Sequence, residues 1–148
     1  METHMLTPQP LIRAMAMNDY EHVLALWQSC SGIGLSEADE PNAIAAYLAR
    51  NPDFSQTAWI GSTLIGAVLA GHDGRRGYLH HVAVHPDYRR NKIGSLIVRA
   101  ALDALATAGI EKVHAFLFTN NTEGLHFWIT QGWTIRKDIG VISTRIRT

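Results

Sequence analysis

The sequence predicts a mixed α/β (α+β) fold in which a mainly antiparallel, twisted sheet is flanked by helices. Three observations point there. Apolar residues recur at helical spacing before Asn51, at strand-like spacing from Ala58 to Val84, and at helical spacing again from Ile93 to Ala108. Glycine-bearing turns at Gly61-Ser62-Thr63 and Asp73-Gly74 divide the middle stretch into three strands, the pattern of an antiparallel meander. A long apolar-faced helix then leads into the β-branched and aromatic segment Lys112–Phe118, so strand, helix and strand form a parallel crossover.

Taken in order, Leu11-Ile12-Arg13 is a short strand candidate. Asn18 and Glu21 have the spacing of a capping box, which predicts a helix from about Asp19 to Ser29 with Tyr20, Val23, Leu24 and Trp27 inward. Ser31-Gly32-Ile33-Gly34 stops it. A second helix begins near Pro41, where a missing amide hydrogen costs nothing, and ends at Asn51-Pro52, with Ile44, Tyr47 and Leu48 on its apolar face. Strands follow at Ala58–Ile60, Leu64–Ala70 and Gly77–Val84. The helix after them presents Ile93, Leu96, Ile97, Ala100, Ala101, Ala104, Leu105 and Ala108 on one face and stops at Gly109. A last helix starts near Asn120, paired with Glu123 as a second capping box, and ends at Gly132. Trp133–Asp138 and Val141–Ile146 read as two further strands.

The 148 residues suit one domain, taken as 6–148, with a core that forms without covalent staples. The 13 basic and 13 acidic side chains cancel, so no global field recruits nucleic acid or an anionic membrane, and any anion site must be local. Cys30 is the single cysteine, which excludes an intrachain disulfide. The opening residues lack the basic and apolar regions of a secretory signal, and no stretch reaches membrane-spanning length, so the expected location is the cytoplasm. The histidines and lone cysteine do not have metal-ligand spacing, and no metal is expected. Apolar Val141, Ile142 and Ile146 leave a homodimer open.

The chemistry is concentrated after the third meander strand. Arg89-Arg90-Asn91-Lys92-Ile93-Gly94-Ser95 opens the long helix, whose first turn offers unpaired N–H groups and the positive end of the helix dipole. Three cations at that end oppose the dipole, by about 0.3–1 kcal/mol each when exposed, unless an anion sits among them. Gly94 permits close backbone approach. The alternative is a solvated basic turn, and charge alone does not separate the two. The segment is neither a Walker loop nor a Gly-x-Gly-x-x-Gly signature.

Val82-Ala83-Val84-His85-Pro86-Asp87-Tyr88-Arg89-Arg90-Asn91-Lys92-Ile93-Gly94 resembles the acetyl-CoA motif of the GCN5-related N-acetyltransferase (GNAT) family. The family pattern Arg/Gln-x-x-Gly-x-Gly/Ala falls on Arg89, Lys92 and Gly94, so Lys92 stands where the first glycine is usual. Asn121-x-x-Gly124-x-x-Phe127-Trp128-x-x-x-Gly132-Trp133 follows in family order, and Gly71–Tyr78 resembles a bacterial subgroup. The resemblance implies acetyl-CoA as cosubstrate and a splayed parallel central strand pair holding the thioester. It also implies amides of Val82, Ala83 and Val84 along pantetheine, Arg89, Arg90, Asn91, Lys92, Ile93, Gly94 and Ser95 around pyrophosphate, and Asn121 and Trp128 at the cofactor. Trp128 stands where the family usually has a tyrosine beside the leaving thiolate, and an indole N–H has no useful acidity.

An amine acceptor must lose a proton before it attacks a thioester. Strict strand alternation places Tyr78, His80, Val82 and Val84 on one face and Leu79, His81 and Ala83 on the other. His80 and Tyr78 are the catalytic candidates, His80 as the expected general base and Tyr78 lining the acceptor side rather than acting as acid; His81 is expected to face the opposite layer. Trp27, Ser31, Asp39, Asp73 and Arg76 are the candidate acceptor contacts, the carboxylates for an ammonium and Arg76 for a carboxylate. Against these stand ordinary roles: a packed histidine, a turn-forming Asp73, and an Arg76 paired with it. The acceptor class is a small-molecule amine, an amino acid, or a peptide N-terminus or lysine. The competing readings are a catalytically weak coenzyme A-binding regulatory protein of the same fold and an anion- or nucleic-acid-binding module, the latter disfavoured by the absence of a wide basic surface.

Overall fold

The computed structural model describes residues 9–147. The expected domain limits, 6 and 148, lie outside them. By packing, the chain divides into two compact units, one running through Phe116 and one starting at Leu117.

In the first unit, β1 (Leu11–Ala14), β2 (Gln56–Ile60), β3 (Thr63–His72), β4 (Gly77–Val84) and β5 (Val113–Ala115) form one sheet in that order. The first three pairings are antiparallel and β4 pairs β5 in parallel. The parallel pair therefore lies at one edge of the sheet. α1 (Tyr20–Gln28) and α2 (Pro41–Arg50) cover one face, where Val23, Leu26, Trp27 and Ile44 are buried with Ala67, Leu69 and Ala83. α3 (Ile93–Thr107) covers the other face: Gly66, one residue before Ala67 and so on the opposite side of β3, would place a Cβ 2.9 Å from the Ile93 side chain. Only glycine at this position lets the start of α3 settle on the sheet.

Local chemistry explains most element ends. Pro41 occupies the first turn of α2, and the α2 terminus docks through Asn51, whose side-chain oxygen accepts a hydrogen bond from His72 N at 3.0 Å. α1 is entered differently from the expected Asn18 cap. Met17–Asp19 form a 3-10 turn, and the buried Asp19 carboxylate accepts from Ala16 N at 2.9 Å and from the Arg13 guanidinium at 3.1 Å. The Asp19 carboxylate fastens this turn, and α1 itself starts with no side-chain cap. α3 buries Ile93, Gly94, Ile97, Val98, Ala101 and Leu105, so its inward stripe is turned from the expected one and Leu96 is 40% exposed. Gly109, at φ +91°, follows its end.

The second unit contains α4 (Thr122–Thr130), capped by Asn121, whose side-chain oxygen accepts from Gly124 N at 2.9 Å. The cap is Asn121, not Asn120, because only it lies directly before the first helical residue. Two strand expectations are corrected as well. β5 spans three residues instead of 112–118, and 133–138 and 141–146 form no strands. Their apolar residues suit a strand, but a strand exists only where a neighbour supplies ladder bonds, and the described residues supply none. Among the described residues no helix is long and apolar enough to cross a membrane.

Gly71 is the test of how α2 meets the sheet. A Cβ there would fall 2.5 Å from the Asn51 carboxamide carbon and 2.7 Å from its nitrogen and oxygen. Gly71→Ala must displace the buried Asn51 and its bond to His72, and is expected to cost about 1–3 kcal/mol. Urea unfolding of the variant beside the parent measures it.

Candidate active site

The site is organised by one irregularity in β4. Ala67 pairs with Ala83 and Leu69 with His80, so three steps along β4 match two along β3. The extra residue is a β-bulge, and His81 within it takes φ +53°. Directly paired residues share a face, so His80 lies with Leu69 and Ala67 on the α1/α2 side, whereas Val84, opposite Gly66, lies on the α3 side. The expected common face of Tyr78, His80, Val82 and Val84 is therefore broken between His80 and Val84. His81 is corrected too. Its ring meets Trp27 of α1 edge-on at 5.0 Å, and its Nε2 lies 2.9 Å from Asp39 Oδ1, so it is on the same side as His80. A bulge defeats period-two counting because it adds one residue without adding one alternation.

The same bulge shapes the edge of β4. β5 pairs with Gly77, Tyr78 and Leu79 and stops directly ahead of it. From His80 to Val84, β4 has β3 on one side and no strand on the other among the described residues. A free strand edge next to a parallel neighbour offers amides and carbonyls to an extended, amide-bearing ligand.

Beyond Val84 the chain makes the 3-10 turn Pro86–Tyr88, fixed by His85 Nδ1 accepting from Asp87 N at 3.1 Å. The Arg89 guanidinium turns back, donating to Val84 O at 3.3 Å and lying 3.8 Å from Cys30 Sγ, which ties the loop to the strand. Arg90 and Lys92 both adopt left-handed backbone, at φ +70° and +62°. That conformation costs a non-glycine residue roughly 1–2 kcal/mol. Of the four such residues among those described, three are His81, Arg90 and Lys92. Strain of this kind persists where a binding geometry requires it. Lys92 is the N-cap residue of the 15-residue α3 and gives no side-chain cap, so the first-turn amides, with exposed Arg90, Asn91 and Lys92 beside them, face the positive dipole end uncapped. Gly94 is buried and Ser95 half-buried in that turn. A free strand edge followed by an uncapped cationic helix start fits a ligand carrying amides and then phosphates, as acetyl-CoA does.

On the α1/α2 side, an aromatic wall surrounds His80. Phe116 stacks on it at 5.7 Å, Tyr78 lies parallel at 6.5 Å, and Tyr47 of α2 meets it edge-on at 6.2 Å. Burial lowers the His80 pKa below the ordinary 6.5, assisted by the neighbouring His81 and opposed by Asp39. His80 is thus a neutral proton acceptor near pH 7. Burial also pushes the Tyr47 hydroxyl up to about 12, so it stays a donor. Asp39 and Trp27 are buried here, and Ser31 is exposed in the loop after α1. Asp73 and Arg76 are elsewhere, at the exposed β3–β4 hairpin. Asp73 accepts from the Arg75 and Arg76 amides at 2.8 Å each, which lowers its pKa, and the Arg76 guanidinium reaches Arg75 O. In the second unit, Asn121 spends its oxygen on the α4 cap, and Trp128 packs on Trp133 at 4.3 Å. Among the described residues no group of three or more His, Cys, Asp or Glu is placed to hold a metal ion.

The lowered His80 pKa has a stability consequence. Between the folded value and 6.5 the unfolded chain binds more protons, so this contribution is present above 6.5 and is lost as pH falls through that window. His80→Gln should flatten the stability loss between pH 7.5 and pH 5, read by urea unfolding at each pH. Losing the ring contacts should itself cost only about 1 kcal/mol, which leaves a folded variant.

Comparison with known proteins identifies the fold and the family. An acetyltransferase of Pectobacterium atrosepticum is 29% identical over 110 residues, covering 74% of this chain and 77% of that one. The PaiA N-acetyltransferase of Thermoplasma acidophilum, solved with coenzyme A, superposes with a TM-score of 0.77 at 18% identity, covering 90% of this chain and 94% of that one. The aminoglycoside 6'-N-acetyltransferase AAC(6')-IG of Acinetobacter haemolyticus superposes with a TM-score of 0.72 at 16% identity, covering 92% and 99%. These two structures share the fold. With residues 20–133 matching the acetyltransferase (GNAT) family model, across the bulged β4, the cationic loop and α4, the chain belongs to the GNAT family of acetyltransferases.

Proposed function

We propose that residues 6–148 act as one N-acetyltransferase domain that moves the acetyl group of acetyl-CoA to an amine by direct attack in a ternary complex. The observation that carries this reading is the bulge at His81, which leaves the Val82–Val84 edge free on the line leading to the uncapped start of α3. Val82, Ala83 and Val84 hold the pantetheine amides. The first-turn amides of Ile93, Gly94 and Ser95, with Arg90, Asn91 and Lys92, hold pyrophosphate, while Arg89 braces the loop. By the family motif alone, Asn121 and Trp128 are further cofactor contacts. The acceptor enters on the α1/α2 side, lined by Tyr78, Trp27, Ser31 and Asp39, and His80 receives one of the two protons that it loses. The acceptor is an amine of a small molecule, an amino acid or a peptide. Asp73 and Arg76, engaged within the exposed β3–β4 hairpin, are left out of this acceptor set. A coenzyme A-binding regulatory role is the second reading, favoured by Trp128 at the place where the family usually has a tyrosine.

Calorimetric titration with acetyl-CoA and thiol release against spermidine, kanamycin, L-lysine and a peptide N-terminus separate these readings. The proposal expects saturable binding and acceptor-dependent thiol release; binding without release across a broad amine panel favours the regulatory role, and no binding rejects both. His80→Gln should lower kcat by about 10²–10⁴-fold, the range for a lost general base, with acetyl-CoA affinity nearly unchanged.

A further inference from the structure

His81 and Asp39 form a second proton-handling pair beside His80. Asp39 is 7% exposed and is held by two contacts: Oδ2 accepts from Ser36 N at 3.0 Å, and Oδ1 lies 2.9 Å from His81 Nε2. In the tautomer in which Nε2 donates to this carboxylate, Nδ1 is the ring nitrogen left for a ligand. Tyr20 donates its hydroxyl to Asp39 O at 2.6 Å, which anchors the turn bearing the carboxylate. Two buried polar atoms border the histidines and have no hydrogen-bond partner among the described residues: Trp27 Nε1, next to His81, and Tyr47 Oη, next to His80. Unpaired donors in an otherwise satisfied interior mark a place for a polar occupant. The left-handed backbone of His81 is a further cost borne to bring this ring to the acceptor side.

We infer that His81, oriented by Asp39, is a catalytic base that takes the first proton from an ammonium acceptor, a step resting on the acetyl-transfer reading above. Two protons must leave an ammonium before an amide and a free thiol result. His81 Nδ1 takes the first, giving a neutral amine and an imidazolium beside the Asp39 carboxylate. The amine nitrogen attacks the thioester carbon, the C–N bond forms and the C–S bond breaks. The second proton passes through His80 to the departing sulfur, giving coenzyme A as a thiol, and His81 returns its proton to solvent. His80 suits the transient step because its aromatic surroundings disfavour a lasting charge. The titratable groups that act on His81 among the described contacts are Asp39, on the turn before α2, and His80, adjacent on its own strand; Tyr20 of α1 holds the Asp39 turn and Tyr47 of α2 meets His80.

Three variants test the pair with acetyl-CoA and the amine panel named above. His81→Asn keeps a residue tolerant of left-handed backbone. It should lower kcat at least 100-fold with acetyl-CoA affinity within about threefold, the loss expected of a missing base. It should also remove one ionisation from the kcat/KM profile. His81→Gly opens the ring's space, and added imidazole should restore its activity at least tenfold. Asp39→Asn should lower kcat less than His81→Asn. Loss of acetyl-CoA binding in step with kcat, or an unrescued His81→Gly that remains folded by circular dichroism, overturns the inference. So does an active parent whose His81→Asn variant keeps kcat within threefold. A parent inactive on every amine overturns the acetyl-transfer reading itself and this inference with it.

Discussion

The bulge at His81 is the constraint from which the rest of the first unit takes its functional shape. One residue added between His80 and Ala83 ends the pairing with β5 at Leu79, leaves the remaining edge of β4 open, and turns two successive histidines toward α1 and α2. Regular strand geometry would have allowed at most one of these rings on that side. The cost is a left-handed histidine, offset by its bond to Asp39 and its contact with Trp27.

The loop after β4 follows the same logic with charge. Arg90 and Lys92 carry like-signed groups to the positive end of α3 in strained backbone, two unfavourable terms that a bound anion would reverse. Lys92 stands where the family motif usually has its first glycine, and it adopts left-handed backbone itself. Gly66 lets Ile93 sit against β3, and the Arg89 contacts with Val84 and Cys30 hold the loop to the strand, so the helix start and the strand edge are fixed to one another.

The α1/α2 side is chemically different. Its wall of Tyr47, Tyr78, Phe116 and His80 is aromatic, and the buried Asp39 carboxylate is engaged by His81. Such a wall favours the neutral form of His80. The exposed hairpin carboxylate of Asp73 is spent on its own turn, which separates it from this inner chemistry.

Much of this was legible in the residues alone. The order of helices and strands, the meander, Pro41 at the start of α2, and the cationic loop opening α3 follow from local periodicity and turn chemistry, which act over a few residues. The caps of α1 and α4 were misplaced by one or two positions because competing acceptors lie within a turn of each other, and only geometry decides which one an amide meets. The strand expectations at 133–138 and 141–146 failed because a strand is a property of two segments, and hydrophobic pattern describes only one. The pairing of His81 with Asp39 joins residues 42 apart in sequence across a bulge that no local signal announces. The residues alone carry the family motif and the cationic segment that opens α3, because both are written in contiguous positions. Which histidine meets a carboxylate depends on strand pairing in three dimensions, because a single inserted residue reverses the facing of everything after it.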